Sequence, residues 1–114
     1  MKKIILPLII TSIVVFAACA PKSSPTTTVA KITYEANVQQ LIQAKCTPCH
    51  LPSKGGNKTS FESFSAAQKY GTYMLGRVEL VPGVRGFMPM RGERLSEAEI
   101  NIFKDWVKDG LLEK

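Results

Sequence analysis

The sequence predicts an all-α domain of about 3–5 short helices behind an N-terminal export segment. Three observations predict it. Apolar residues recur at helical spacing through residues 32–114, serines and a threonine stand where helices would start, and no run alternating β-branched with polar residues marks a strand. Within this frame KCTPCHLP, residues 45–52, holds two of the three cysteines and the only histidine.

The chain opens MKKIILPLIITSIVVFAAC. Lys2 and Lys3 precede an apolar run from Ile4 to Phe16, and the small residues Ala17 and Ala18 precede Cys19, which is the order of a secretory signal. A membrane span wants ~20 apolar residues, and the run falls short of that. Phe16-Ala17-Ala18-Cys19 resembles the lipobox of bacterial lipoproteins, with Phe16 where Leu is usual. The expected division is a signal peptide over 1–18, a lipidated Cys19 with a flexible tether over 19–31, and a folded domain over 32–114. APKSSPTTTVAK, residues 20–31, supplies the tether composition.

Charge excludes one function class. The chain carries 15 Lys and Arg against 9 Asp and Glu, for +6; removing Lys2 and Lys3 leaves 13 against 9, or +4. The basic residues are scattered and not interleaved with aromatics, so no nucleic-acid partner is expected.

The helices follow in order. Thr33 is a plausible N-cap, after which Tyr34, Val38, Leu41, Ile42 and Lys45 share a face, with the Lys45 stem lying along it. LPSKGGNKTS reads as a loop, and Phe61 and Phe64 as anchors of a short helical turn. Ser65 is expected to cap AAQKYGTYMLGRV, where Tyr70, Met74 and Val78 align, making Met74 a core residue. Gly71 and Gly76 weaken that helix by about 1 kcal/mol each relative to Ala, a cost explained by close approach either of a flat cofactor or of another helix. VPGVRGFMPMRGERL, residues 81–95, has no periodicity. Ser96 and Glu99 then form a capping box, followed by a stripe of Ile100, Phe103 and Val107 widened by Trp106, with Gly110 as the stop.

Cys46, Cys49 and His50 lie within five positions. A disulfide between the cysteines would close a very small loop and stabilise little. A thioredoxin-like redox pair wants a βαβ pattern beside C-x-x-C, and zinc wants a fourth ligand. C-x-x-C-H is the attachment signature of covalent haem. Two thiols three positions apart can meet two vinyl groups on one porphyrin edge, while the adjoining imidazole reaches the iron.

The sequence resembles a small monohaem c-type cytochrome of the class I fold, made as a lipoprotein. The resemblance covers about residues 32–111 and rests on CTPCH after an amphipathic helix, RV near the end of the middle helix, a Met-Pro step, and LSEAEINIFKDWVKDG. It implies one haem c held through Cys46 and Cys49, iron bound by His50, and crossed N- and C-terminal helices. It further implies a distal methionine: Met88 matches the Met-Pro step, and Met90, two positions on, is the alternative. In an extended segment those two side chains point the same way. Thioether ligation favours ferrous iron and closes the distal site.

The expected function is single-electron transfer between redox protein partners by a monomer that is not an enzyme. Its expected place is a bacterial membrane, held by the lipid anchor and facing the periplasm or cell exterior. The alternative is a five-coordinate haem protein with ligand-sensing or peroxidase activity, although no second histidine is available to assist peroxide chemistry.

Overall fold

The computed structural model describes residues 29–114. The expected signal segment, Cys19 and the expected tether up to residue 28 lie outside the described residues. Among those described, regular structure is helical throughout and no strand is present.

Thr33 caps the first helical segment, its hydroxyl accepting from the Ala36 N–H. The segment starts as a π-helical turn, Tyr34–Val38, and continues as α1, Gln39–Lys45. Tyr34, Val38, Leu41 and Ile42 are buried on its inner face, as their spacing predicts. A single 3₁₀ turn, Pro52–Lys54, interrupts the loop after the cysteine-rich turn.

α2 spans Phe64–Val78. Its N-cap is Ser63 and not Ser65: the Ser63 hydroxyl accepts from the Ala66 N–H, and Ser65 lies inside the helix, hydroxyl to hydroxyl with Ser63 at 3.3 Å. Phe64 therefore begins this helix instead of anchoring a separate turn, and its ring packs 5.6 Å from that of Tyr34. That contact draws the helix start toward the core. The buried stripe runs Ala67, Gly71, Met74 and Val78, with Tyr70 half-buried beside it. Gly71 faces another helix: a Cβ there would lie 3.1 Å from the Trp106 ring and 2.5 Å from Leu111. At Gly76 a Cβ would meet nothing within 4 Å.

α3, Glu97–Lys108, has the full capping box between Ser96 and Glu99. Its buried face is Ile100, Phe103 and Trp106, while Val107 is half-buried, so the stripe is centred on Trp106 instead of flanked by it. Gly110 adopts φ +96°, a left-handed conformation open to glycine, and ends the helix. The returning tail then crosses the start of the first helical segment. Tyr34 N–H donates to Leu112 O at 2.8 Å, Glu35 N–H to Glu113 O at 3.0 Å, and Trp106 Nε1–H to Leu112 O at 2.9 Å. At the other end Lys45 Nζ lies 3.0 Å from Glu99 Oε1. The first helical segment is thus tied to α3 at two places, through the tail at Tyr34 and Glu35 and through the Lys45–Glu99 pair.

Candidate functional site

CTPCH forms the turn that leaves α1. The helix ends with Cys46 N–H on Ile42 O at 2.8 Å, and His50 N–H then donates to Cys46 O at 3.0 Å, closing one further turn. Cys46, Cys49 and His50 are thereby brought together on a single loop of backbone. Both thiols are free; Cys49 is exposed, while Cys46 is half-buried and packs on the hydrophobic core. Burial penalises a thiolate, and pushes the Cys46 thiol up to about 11.

The imidazole is fixed from two sides. His50 Nδ1 is 2.6 Å from Thr59 O, so in the neutral ring Nδ1 carries the proton and donates it to that carbonyl. Phe61 stacks on the ring, with centroids 4.4 Å apart and planes 10° from parallel. The Phe61 N–H in turn donates to His50 O at 3.0 Å. Together these contacts leave Nε2 as the free lone pair on an oriented ring, the arrangement by which proteins present imidazole to a metal.

The loop after His50 folds back against the turn. Lys58 N–H donates to Cys49 O at 3.0 Å, and Gly56 lies so close that a Cβ on it would come 2.6 Å from Cys49 O and closer still to Pro48 O. Gly56 and Thr59 are neighbours of this turn that pattern reasoning placed only in a loop, and Phe61, expected to anchor a helical turn, stacks on the imidazole instead. A Gly-Gly pair beside a ligand turn hints at close backbone approach, but nothing in a sequence marks which carbonyl will meet an imidazole.

Met88 and Met90 differ in exposure. The Gly92 N–H bonds Pro89 O at 3.3 Å, so the chain turns here instead of running extended. Met88 is half-buried; Met90 is 66% exposed. Both line a cleft of about 340 Å³ together with Gly83, Val84, Arg85, Gly86 and Phe87, and the histidine is not among its walls. A second cleft, about 400 Å³, lies behind the CTPCH turn against Ile42, Thr47, Leu51 and Phe61. α2 connects the two regions. Phe61, stacked on His50, packs 6.1 Å from Tyr70, and seven residues further along α2 the Arg77 carbonyl accepts from Met88 N–H at 3.2 Å.

Among the described residues no three His, Cys, Asp or Glu side chains converge on a point where they would hold a metal ion. The donor set that is present, two thiols and one imidazole on one turn, could hold a prosthetic group through the two sulfurs and bind a metal through the ring nitrogen. Comparison with protein-family models, curated proteins and solved structures found no match to the chain.

Proposed function

We propose that the protein is a monohaem c-type cytochrome that carries single electrons. The observation that carries this reading is the CTPCH turn itself, with two free thiols and an imidazole whose Nδ1–H is held by Thr59 O. Cys46 and Cys49 would hold the group by thioether bonds, His50 Nε2 would bind the iron, and Met88 would supply the distal sulfur. The group when bound supplies a one-electron ferric–ferrous couple.

This chain's residues do the rest. Thr59 and Phe61 hold the imidazole plane, so the ligand does not reorient between oxidation states. Leu51 and Phe61 are buried beside the turn and support it from the core side, while Thr47, Pro48 and Cys49 face solvent. A distal thioether leaves no site for substrate, and the protein then relays electrons between redox proteins and turns nothing over. Cys19, acylated, would tether the domain to a membrane; no helix among the described residues is long and apolar enough to cross one.

The test is production in a host with cytochrome c maturation machinery, followed by acid-acetone extraction and a pyridine haemochrome spectrum. Haem that stays with the denatured polypeptide in wild type and is lost from C46A/C49A supports the reading; haem that is extracted from wild type overturns it. Palmitate labelling compared with Cys19→Ser tests the anchor, and equal label in both rejects it.

A further inference from the structure

Arg77 stands where α2 meets the loop that carries Met88. Its carbonyl accepts the Met88 N–H at 3.2 Å. Its guanidinium reaches back one helical turn, donating through Nη2 to the Tyr73 hydroxyl, and lies over the Tyr73 ring with Cζ 4.5 Å from the centroid. Its Nη1 end abuts Gly86. A Cβ at Gly86 would sit 2.9 Å from Arg77 Cζ and closer to Nη1, and Gly86 has φ +94°, a left-handed conformation that favours glycine, so this residue lets the loop backbone approach the tip of the guanidinium.

Three independent contacts therefore converge on one residue. The backbone bond to Met88 would survive any substitution at 77, but the side-chain contacts would not. An arginine suits this place better than a lysine, because a guanidinium can lie over an aromatic ring, donate to a hydroxyl through one terminal nitrogen and reach the loop backbone with the other at once. The loop from Val81 to Gly92 contains no regular element, and Val81, Val84 and Met90 are exposed; Phe87 is its one buried side chain, so the Arg77 contacts and Phe87 together hold the loop.

We propose that Arg77 is a positioning residue that, with Tyr73 and Gly86, clamps the 81–92 loop onto α2 and so sets the place of the Met88 sulfur. The inference rests on the cytochrome reading for its consequence at iron, while the clamp itself is a property of the polypeptide. Loss of the clamp would let the loop open more often. In a haem-bearing protein, that opening would appear as a distal ligand held less firmly, with the thioether-bound haem unaffected.

The experiment compares wild type with Arg77→Lys, Arg77→Ala and Tyr73→Phe, each as the haem-bearing protein. Two quantities are read: tryptic cleavage at Arg85 and Arg91 under native conditions, and the near-infrared charge-transfer band of ferric sulfur ligation. Cleavage should rise on the order of ten-fold in Arg77→Ala, the change expected when one charge-assisted hydrogen bond stops opposing an opening. The band should weaken in Arg77→Ala and Arg77→Lys, and Tyr73→Phe, which keeps the ring but not the hydroxyl, should fall between them and wild type. Pyridine haemochrome content should be equal in all four. If Arg77→Ala does not fold, Tyr73→Phe carries the same comparison. Unchanged cleavage and an unchanged band would overturn the clamp. Faster cleavage in variants of a wild type that shows haem but no such band would uphold the clamp and remove Met88 as ligand; faster cleavage with no covalent haem in wild type would uphold the clamp and reject the cytochrome reading.

Discussion

His50 donates its Nδ1–H to the carbonyl oxygen of Thr59 at 2.6 Å, across nine residues of chain. A backbone carbonyl cannot ionise, so it fixes the tautomer at any pH where the ring is neutral. In haem-free protein ¹⁵N–¹H correlation spectra of the neutral ring should show His50 protonated at Nδ1 and bare at Nε2. The reverse tautomer would contradict the geometry and leave Nε2 unable to bind a metal. Phe61→Ala, which removes the stacked ring from a buried position, should cost about 3–5 kcal/mol in urea denaturation.

The two methionines of the loop should behave differently. Met88→Ala should abolish the near-infrared band of the ferric haem protein, lower its reduction potential and admit CO to the ferrous form. Met90→Ala should leave all three as in wild type, because Met90 is 66% exposed whereas Met88 is half-buried. The opposite pattern would give the distal place to Met90. Rapid CO binding by wild type together with peroxide turnover would favour a catalytic or sensing haem over a carrier.

The capping box makes stability depend on acid. Glu99 accepts from the Ser96 N–H at 2.8 Å and lies 3.0 Å from Lys45 Nζ; the Ser96 bond first, then Lys45, hold its carboxyl below the ordinary 4.5. A folded-state pKa below the unfolded one means that the contribution is complete above about 4.5 and is lost as pH falls through the lower folded value. Glu62, held down chiefly by the Ser53 hydroxyl, and Glu97, held down by Arg94, act in the same direction. Glu99→Gln should therefore flatten the fall in stability below about pH 4.5. At neutral pH Ser96→Ala should cost about 1 kcal/mol. Equal acid slopes for Glu99→Gln and wild type would rule this carboxylate out.

Two helical glycines should respond with opposite sign. Gly76→Ala adds a methyl to open space and should stabilise by about 0.5–1 kcal/mol. Gly71→Ala drives a methyl into Leu111 and the Trp106 ring, and should destabilise by about 1–3 kcal/mol. Thermal or urea denaturation of the pair settles it, and stabilisation by Gly71→Ala would mean that the C-terminal tail does not pack there.

Local signals determined much of this protein within the sequence itself. Thr33 and the Ser96–Glu99 box start helices where they should, because an N-cap acts over three residues. Tyr34, Val38, Leu41 and Ile42 are buried because helical spacing alone puts them on one face. Cys46, Cys49 and His50 share a turn because they are near neighbours in the chain. Tertiary structure decided the rest. The helix start moved from Ser65 to Ser63 because Phe64 packs on Tyr34, thirty residues away in the chain. Trp106 became the centre of α3's buried face because Gly71, Leu111 and Tyr34 surround it. Thr59 became the partner of His50, and Arg77 the seat of the Met88 loop, through backbone carbonyls that every residue possesses alike. Periodicity and capping are written in side chains over a few positions; which carbonyl meets which donor depends on how whole segments pack, and a chain shows that only once folded.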